Sequence, residues 1–164
     1  MNDQNNIKLL IVDDEEKFLK SVAQRLSLKG FDVVTAIDGR DAMLAAEQNL
    51  FDVALLDLQL PGIDGTKVLK LLKERHKYLE IIILTGHGSV TSAVECTRLG
   101  AFDYLEKPFD FDKLIEAIKE AYSSRLKKKF ENNAKRIQEI QKLSMRESPL
   151  GLLRALAKMD NDEK

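Results

Sequence analysis

Short apolar runs alternate five times with stretches of helical periodicity before residue 123, and this alternation restricts the fold more than any other feature of the chain. The runs are Ile7–Val12, Asp32–Ala36, Asp52–Leu56, Ile81–Leu84 and Phe102–Leu105. Their brevity and their richness in Ile, Val and Leu suit strands buried on both faces. Between them, Phe18, Val22 and Leu26 recur every four residues, with Leu19 and Ala23 beside them. Ala42, Ala46 and Leu50 repeat the pattern; Val68, Leu69 and Leu72 mark a third helix, and Val90, Ala93, Val94 and Thr97 a fourth. Strict β-α alternation implies parallel strands joined by right-handed crossovers. The predicted fold class is therefore α/β, a doubly wound five-stranded parallel sheet.

The punctuation agrees. Gly30 and Gly100 stand where a left-handed C-terminal cap favours glycine. Ser89 and Asp112 stand where N-caps are expected, because their side-chain oxygens can accept free backbone N–H groups.

In such a sheet, function sits beyond the carboxyl ends of the strands. After the first run come Asp13-Asp-Glu-Glu16, after the third Asp57, after the fourth Thr85 and after the fifth Lys107. The second run, expected at an edge, ends without a notable polar group. Three carboxylates crowded on one rim repel one another, and burial would raise their pKa values. A divalent cation relieves both costs. Hard oxygen ligands with positions left for water suit Mg²⁺, which takes one or two carboxylates together with a substrate phosphate. Lys107 adds a positive point charge that can pair with Asp57 at rest and with a phosphoryl oxygen later. Thr85 offers a hydroxyl to another such oxygen. An aspartate facing a metal and a lysine, with no base beside it, reads as a nucleophile for phosphoryl transfer.

The set Asp13-Asp14, Asp57, Thr85 and Lys107-Pro108 resembles the receiver domain of bacterial two-component response regulators. The surrounding words match as well: Leu10-Ile-Val-Asp-Asp-Glu15, Leu56-Asp-Leu-Gln-Leu-Pro-Gly-Ile-Asp-Gly65, Leu84-Thr-Gly86 and Gly100-Ala-Phe-Asp-Tyr-Leu-Glu-Lys-Pro-Phe109. The resemblance spans roughly residues 5 to 123 and implies a flavodoxin-like strand order, 2-1-3-4-5. It implies that Asp57 is the phosphoacceptor, carried as an aspartylphosphate. Asp14 and Asp57 would bind Mg²⁺ directly with the backbone carbonyl of Gln59, and Asp13 through a water. Thr85 and Lys107 would contact the phosphoryl group. Tyr104 matches the aromatic that turns inward as Thr85 is drawn to that group. The Lys107–Pro108 bond is expected to be cis. Gln59 and His87 match two variable positions that tune how fast the phosphoryl group is lost. The implied partner is a sensor histidine kinase or a phosphotransfer protein bearing a phosphohistidine. The implied role is a switch that catalyses only its own phosphorylation and dephosphorylation, not a metabolic enzyme.

Taken singly, each residue has a plainer explanation. Asp13 and Asp14 could be helix-capping acids, Asp57 could open a turn, Thr85-Gly86 could be a turn and Lys107-Pro108 a loop. What outweighs these is that all four land on one edge of one sheet. Among rivals, a phosphatase of the haloacid-dehalogenase type places its nucleophile after the first strand in an Asp-x-Asp arrangement, which Asp13-Asp-Glu-Glu16 does not match. A degenerate receiver acting without phosphorylation is opposed by the intact acids, Thr85 and Lys107. Gly86-His-Gly88 lacks the full Gly-rich phosphate fingerprint, and neither a zinc spacing nor a P-loop occurs. Cys96 reads as a small packed side chain and His76 as a solvated residue near a helix end.

Composition constrains the setting. No apolar run approaches the roughly 18 residues of a membrane span, the N-terminus carries no positive cluster, and the single cysteine suits a reducing compartment. The cytoplasm is the expectation. Net charge is −1, which gives the whole chain no nucleic-acid signature. From Ser123 to Glu147, however, eight basic residues stand against three acidic ones, a net of +5. The predicted organisation is a receiver over 1–123, a helical extension over 124–147, and a short amphipathic helix with a polar tail over 148–164. Receivers end with a fifth helix, here starting near Asp112 and packing Leu114, Ile115 and Ile118 on the sheet. Nothing breaks it near 123. Leu126, Phe130, Ile137 and Ile140 then form a stripe of about two heptads, which reads either as a coiled coil pairing two copies or as a solvated charged helix. Ser148-Pro149 should start the last helix, with serine as cap and proline at the first position. Its apolar face, Leu150, Leu153, Leu156 and Ala157, needs a surface to dock on: its own receiver, a twin or a partner.

Overall fold

The apolar runs pair side by side as five parallel strands. They are β1 (Lys8–Val12), β2 (Asp32–Ala36), β3 (Val53–Leu56), β4 (Glu80–Thr85) and β5 (Asp103–Glu106), in the order β2-β1-β3-β4-β5. This is the flavodoxin-like order expected, with β2 at one edge. Between and after them lie α1 (Glu16–Leu28), α2 (Gly39–Gln48), α3 (Gly65–Arg75), α4 (Val90–Arg98), α5 (Phe111–Arg146) and α6 (Pro149–Asn161). The structure is a computed structural model and describes residues 6–86, 90–146 and 148–161.

Why the central runs are continuously apolar is plain from the packing. Successive side chains of a strand point to opposite faces, and here both faces are covered. Leu10, Val12, Ala54, Leu56, Ile81 and Ile83 meet Ala42 and Ala46 of α2, Val68, Leu69 and Leu72 of α3, and Cys96 of α4. Leu9, Ile11, Val53, Leu55, Ile82 and Leu84 meet Leu19, Val22 and Leu26 of α1 and Leu114, Ala117, Ile118 and Ala121 of α5. Each such Leu or Ile contributes about 1.5–3 kcal/mol relative to exposure. Gly30 and Gly100 adopt φ of 94° and 100°, the left-handed caps that their positions predicted.

Several local expectations are corrected. Leu50 does not continue the α2 stripe: the helix stops at Gln48, Leu50 is 76% exposed, and Phe51 is buried instead. On α4, among the residues whose side chains are described, Cys96 is buried and Ala93 half-buried, while Val94 and Thr97, expected on the apolar stripe, are exposed. The cap of α5 is Asp110, not Asp112. Its carboxylate accepts the Asp112 N–H at 3.0 Å and its carbonyl accepts the Leu114 N–H at 3.1 Å. The expected cap Ser89 lies outside the described residues. His76 is half-buried at the C-cap of α3, its N–H on the Leu72 carbonyl.

The chain divides into two compact units, residues 1–125 and 126–164. In the first, Arg125 of α5 pairs with Asp52 at 3.0 Å, just before β3. In the second, Ser148 Oγ accepts the Gly151 N–H at 3.2 Å, which makes it the cap of α6 as read from Ser148-Pro149. The chain turns back between α5 and α6, so that Arg136 pairs with Asp160. No residue of α6 is buried. Leu150, Leu153 and Ala157, three of the four residues of its expected apolar face, are exposed, and the half-buried residues are Gly151, Leu152, Ala155, Leu156 and Met159. With leucines at 150, 152, 153 and 156, two stripes fit one helix, and spacing alone does not choose between them. Phe130 and Ile137 on α5 are exposed as well.

Candidate functional site

Sheet register builds the site. Val12 pairs with Leu56, so the residues that follow, Asp13 and Asp57, leave the sheet side by side, roughly one strand spacing of ~4.8 Å apart. The ladder continues one step into them: the Asp57 N–H donates to the Val12 carbonyl at 3.0 Å, and the Asp13 N–H to the Ala36 carbonyl at 3.1 Å. Asp13 is 1% exposed and Asp57 7%. Asp14, next along the chain, faces solvent. One carboxylate oxygen from each of the three lies within 4.8 Å of the others.

Each buried carboxylate is held at both ends. Asp57 Oδ1 accepts the Gln59 N–H at 2.9 Å, and Asp13 Oδ1 accepts the Glu15 N–H at 2.9 Å. The other oxygens face Lys107, whose Nζ donates to Asp13 Oδ2 at 2.5 Å and to Asp57 Oδ2 at 3.2 Å. Lys107 arrives from the end of β5, its N–H donating to the Thr85 carbonyl at 2.7 Å. The Lys107–Pro108 bond is cis. Thr85 ends β4 and is 1% exposed. Tyr104, on β5, packs against the core on the α2–α3–α4 face with its hydroxyl buried.

Electrostatics follow from this packing. Burial pushes the Asp57 carboxyl up from its ordinary value, and the negative charge of Asp13 pushes it the same way; the Gln59 N–H and the Lys107 ammonium pull against both. Lys107 is also raised. Burial alone would lower it, but the Asp13 hydrogen bond and the charges of Asp13 and Asp57 outweigh that. Among the described residues the rim thus holds three carboxylates against one ammonium, a deficit of positive charge on a set of oxygen donors. Those donors fit a hard divalent cation such as Mg²⁺, with the Asp14 side open to water.

The loop that carries Asp57 onward is clamped by a glycine. The Gly65 N–H donates to the Leu58 carbonyl at 3.2 Å, and a Cβ at Gly65 would meet Leu58 Cα at 2.4 Å. Gly65→Ala is expected to cost about 2–3 kcal/mol in urea unfolding, because backbone must move to admit the methyl. An unchanged midpoint would show that this loop yields freely.

Of the residues singled out in the sequence, Asp13, Asp14, Asp57 and Lys107 come together directly, and Thr85 reaches the same rim. Gln59 is exposed and contributes its N–H, while His87 lies outside the described residues. Sequence reasoning missed Phe18, whose ring centroid lies 4.0 Å from Lys107 Nζ. Its position in the first turn of α1, four residues after Asp14, was the available signal. It was absorbed into the helix's apolar stripe.

Comparison with known proteins agrees with this geometry. Residues 9–119 match the family model of the response regulator receiver domain. A putative response regulator NtrX-like of Rickettsia felis is 36% identical over 119 residues, 71% of this chain and 25% of that protein. The C4-dicarboxylate transport transcriptional regulatory protein DctD of Pseudomonas aeruginosa is 37% identical over 118 residues, 72% of this chain and 26% of that protein. The chain therefore spans about a quarter of the length of the curated relatives named here. A CheY-like receiver domain protein from Methanospirillum hungatei superposes with a TM-score of 0.72 at 31% identity, covering 75% of this chain and 98% of that one. NtrX from Brucella abortus gives 0.72 at 35% identity, covering 77% of this chain and 29% of that one. With strand order, strand-end acids and family model in agreement, this chain belongs to the two-component response regulators and carries their receiver domain over residues 9–119.

Proposed function

We propose that Asp57 is the residue through which this receiver switches, taking a phosphoryl group from a phosphohistidine on a sensor histidine kinase or a phosphotransfer protein. The observation that carries this reading is the Asp57 carboxylate itself, buried at the end of β3, 3.2 Å from the Lys107 ammonium and within reach of two further acids. An Asp57 oxygen attacks phosphorus as the bond from phosphorus to the donor's imidazole nitrogen breaks, and that nitrogen regains a proton from solvent. Mg²⁺ would be held by Asp13, Asp14 and Asp57, with the Gln59 carbonyl, and when bound supplies neutralisation of the charge on the transferred group. Lys107 exchanges carboxylate for phosphoryl oxygen, and Thr85 gives a second hydrogen bond. Phosphorylation adds roughly −1.5 to −2 charges, and the response passes through Thr85 and Tyr104 to the surface of α4, β5 and α5. The chain transforms no substrate other than itself.

The α5 extension and α6 are the output. Among the described residues no helix is long and apolar enough to cross a membrane, and the cytoplasm is the proposed location. The exposed Phe130 and Ile137 support pairing of two copies through α5, modulated by the phosphoryl group.

Beryllofluoride, a phosphoryl mimic, tests both parts. The full chain should bind it one to one in the presence of Mg²⁺ while turning over no external phosphomonoester; failure to bind would remove Asp57 from its role. Light scattering should show a higher mass with the mimic than without it, and Phe130→Glu should abolish the difference. An unchanged wild-type mass would reject tail pairing as the output.

A further inference from the structure

We propose that Phe18 is a positioning residue for Lys107, its ring face holding the ammonium at the acid cluster both before and after Asp57 is phosphorylated. The inference rests on the receiver reading above. Lys107 Nζ lies 4.0 Å from the Phe18 centroid, close enough for the ring quadrupole to attract the cation. Phe109 braces that ring edge-on, at 6.1 Å between centroids and 85° between planes. The Lys107 side chain is only 16% exposed, so the contact is largely shielded from water, where such attraction is stronger.

The geometry matters because the other two partners of Lys107 change. At rest Asp13 and Asp57 hold the ammonium. A divalent cation claims carboxylate oxygens, and a phosphoryl group on Asp57 moves the negative charge outward. A lysine has a flexible four-carbon stem and no fixed fork, so it wanders when its partners move. Phe18 does not move with them. Leu19, Val22 and Leu26 bury α1 against the sheet and fix the backbone that carries Phe18. Among the described residues, the ring is thus a contact of the ammonium that carries no charge for metal or phosphate to compete with. Phe18 lines the same groove as Lys107, with Glu15, Arg25, Phe109 and Phe111.

The test has two readouts. In metal-free protein the Lys107 ε-methylene protons should be shifted upfield by the ring current, and Phe18→Leu should return them to the ordinary lysine position. With Mg²⁺ and phosphoramidate, Phe18→Leu should be phosphorylated about three- to tenfold more slowly than wild type. Phe18→Trp, which keeps a π face, should restore most of the rate. Phe18→Met is the second apolar variant, with the same expectation, should the leucine variant fail to fold. Unshifted Lys107 protons in the wild type, a wild-type rate for Phe18→Leu or Phe18→Met, or a tryptophan variant as slow as the leucine variant would each overturn the proposal. Wild-type protein that takes no phosphoryl group overturns the receiver reading and this proposal together. Normal wild-type labelling beside an indifferent Phe18→Leu overturns the proposal alone.

Discussion

Asp57→Asn is expected to abolish labelling by a small phosphodonor completely and, in metal-free protein at neutral pH, to make the domain more stable. The first effect follows from the chemistry: an amide has no anionic oxygen with which to attack phosphorus. The second follows from burial. Asp57 titrates above its ordinary 3.8, chiefly because burial disfavours the ion and secondly because Asp13 repels it, while the Gln59 N–H and Lys107 only partly compensate. A carboxyl with a raised folded pKa contributes stability that is fully present below the unfolded value and lost as pH rises through the folded one. At neutral pH the ionised group is therefore a net cost, which the amide removes. The asparagine oxygen can still accept the Gln59 N–H; its NH₂ would face Lys107, which can turn fully to Asp13. A gain in urea unfolding is expected at neutral pH. It should shrink to nothing as pH falls below the ordinary carboxylate range, where wild type is protonated too. Adding Mg²⁺ should reverse the order, because the cation stabilises the wild-type site in proportion to its affinity. Persistent labelling would move the acceptor elsewhere. A less stable variant at neutral pH would mean that Lys107 more than offsets burial.

The sheet was legible because both its faces are covered, so that β1, β3 and β4 read as unbroken apolar runs. The acid cluster was legible for a related reason. In a parallel sheet every strand delivers the residue after its last apolar position to the same rim, so the sequence neighbours Val12-Asp13 and Leu56-Asp57 become spatial neighbours once the register is known. What stayed hidden depends on choices that sequence leaves degenerate. Asp110 and Asp112 can both cap a helix; the structure takes Asp110, with Phe111 half-buried under the Arg25 guanidinium 3.9 Å from its ring. Cys96 rather than Val94 enters the core because the rotation of α4 is fixed by what packs beneath it. Leu152 and Leu156 of α6 are half-buried while Leu150 and Leu153 are not, and spacing alone does not choose between the two stripes. The Arg125–Asp52 pair joins residues 73 positions apart, and no local pattern announces it. Phe18 was assigned to the core by its spacing and turned out to face a lysine 89 positions later in the chain. Periodicity reports which side of a helix is apolar, not which polar group will arrive there.

Lys107→Met should produce the largest loss of stability of any change at the site. The methionine matches the lysine stem but supplies no charge, so Asp13, 1% exposed, and Asp57, 7% exposed, would face each other with no cation between them. Removing one partner of a buried ion pair costs far more than the pair contributes, typically 3–5 kcal/mol, because the surviving charge remains buried. The expected loss here is about 3 kcal/mol, at the low end of that range because the Asp14 side is open to water. The pH dependence has a definite sign. Lys107 is raised from 10.5 because its bond to Asp13 and the charges of Asp13 and Asp57 outweigh burial. Its stabilising contribution is thus fully present below 10.5 and lost only as pH rises through the higher folded value. The gap between wild type and variant should hold from neutral to mildly alkaline pH and close in strong alkali. It should also narrow in acid, as Asp57 takes a proton and the repulsion that the ammonium had masked disappears. Mg²⁺ provides the decisive control. With the ammonium gone, a divalent cation meets no competitor for the Asp13 and Asp57 oxygens, so the variant should bind Mg²⁺ more tightly than wild type and recover most of its lost stability when the metal is added. Urea unfolding of both proteins with and without Mg²⁺ measures all of this at once. Equal stability without metal would show that Lys107 does not neutralise the cluster. A variant that Mg²⁺ fails to rescue would show that the three carboxylates do not share a cation, whatever their spacing. Combining the substitution with Asp57→Asn sharpens the point: if repulsion between Asp13 and Asp57 is what the lysine relieves, removing one of those charges should return a large part of the deficit, leaving the double variant more stable than Lys107→Met alone.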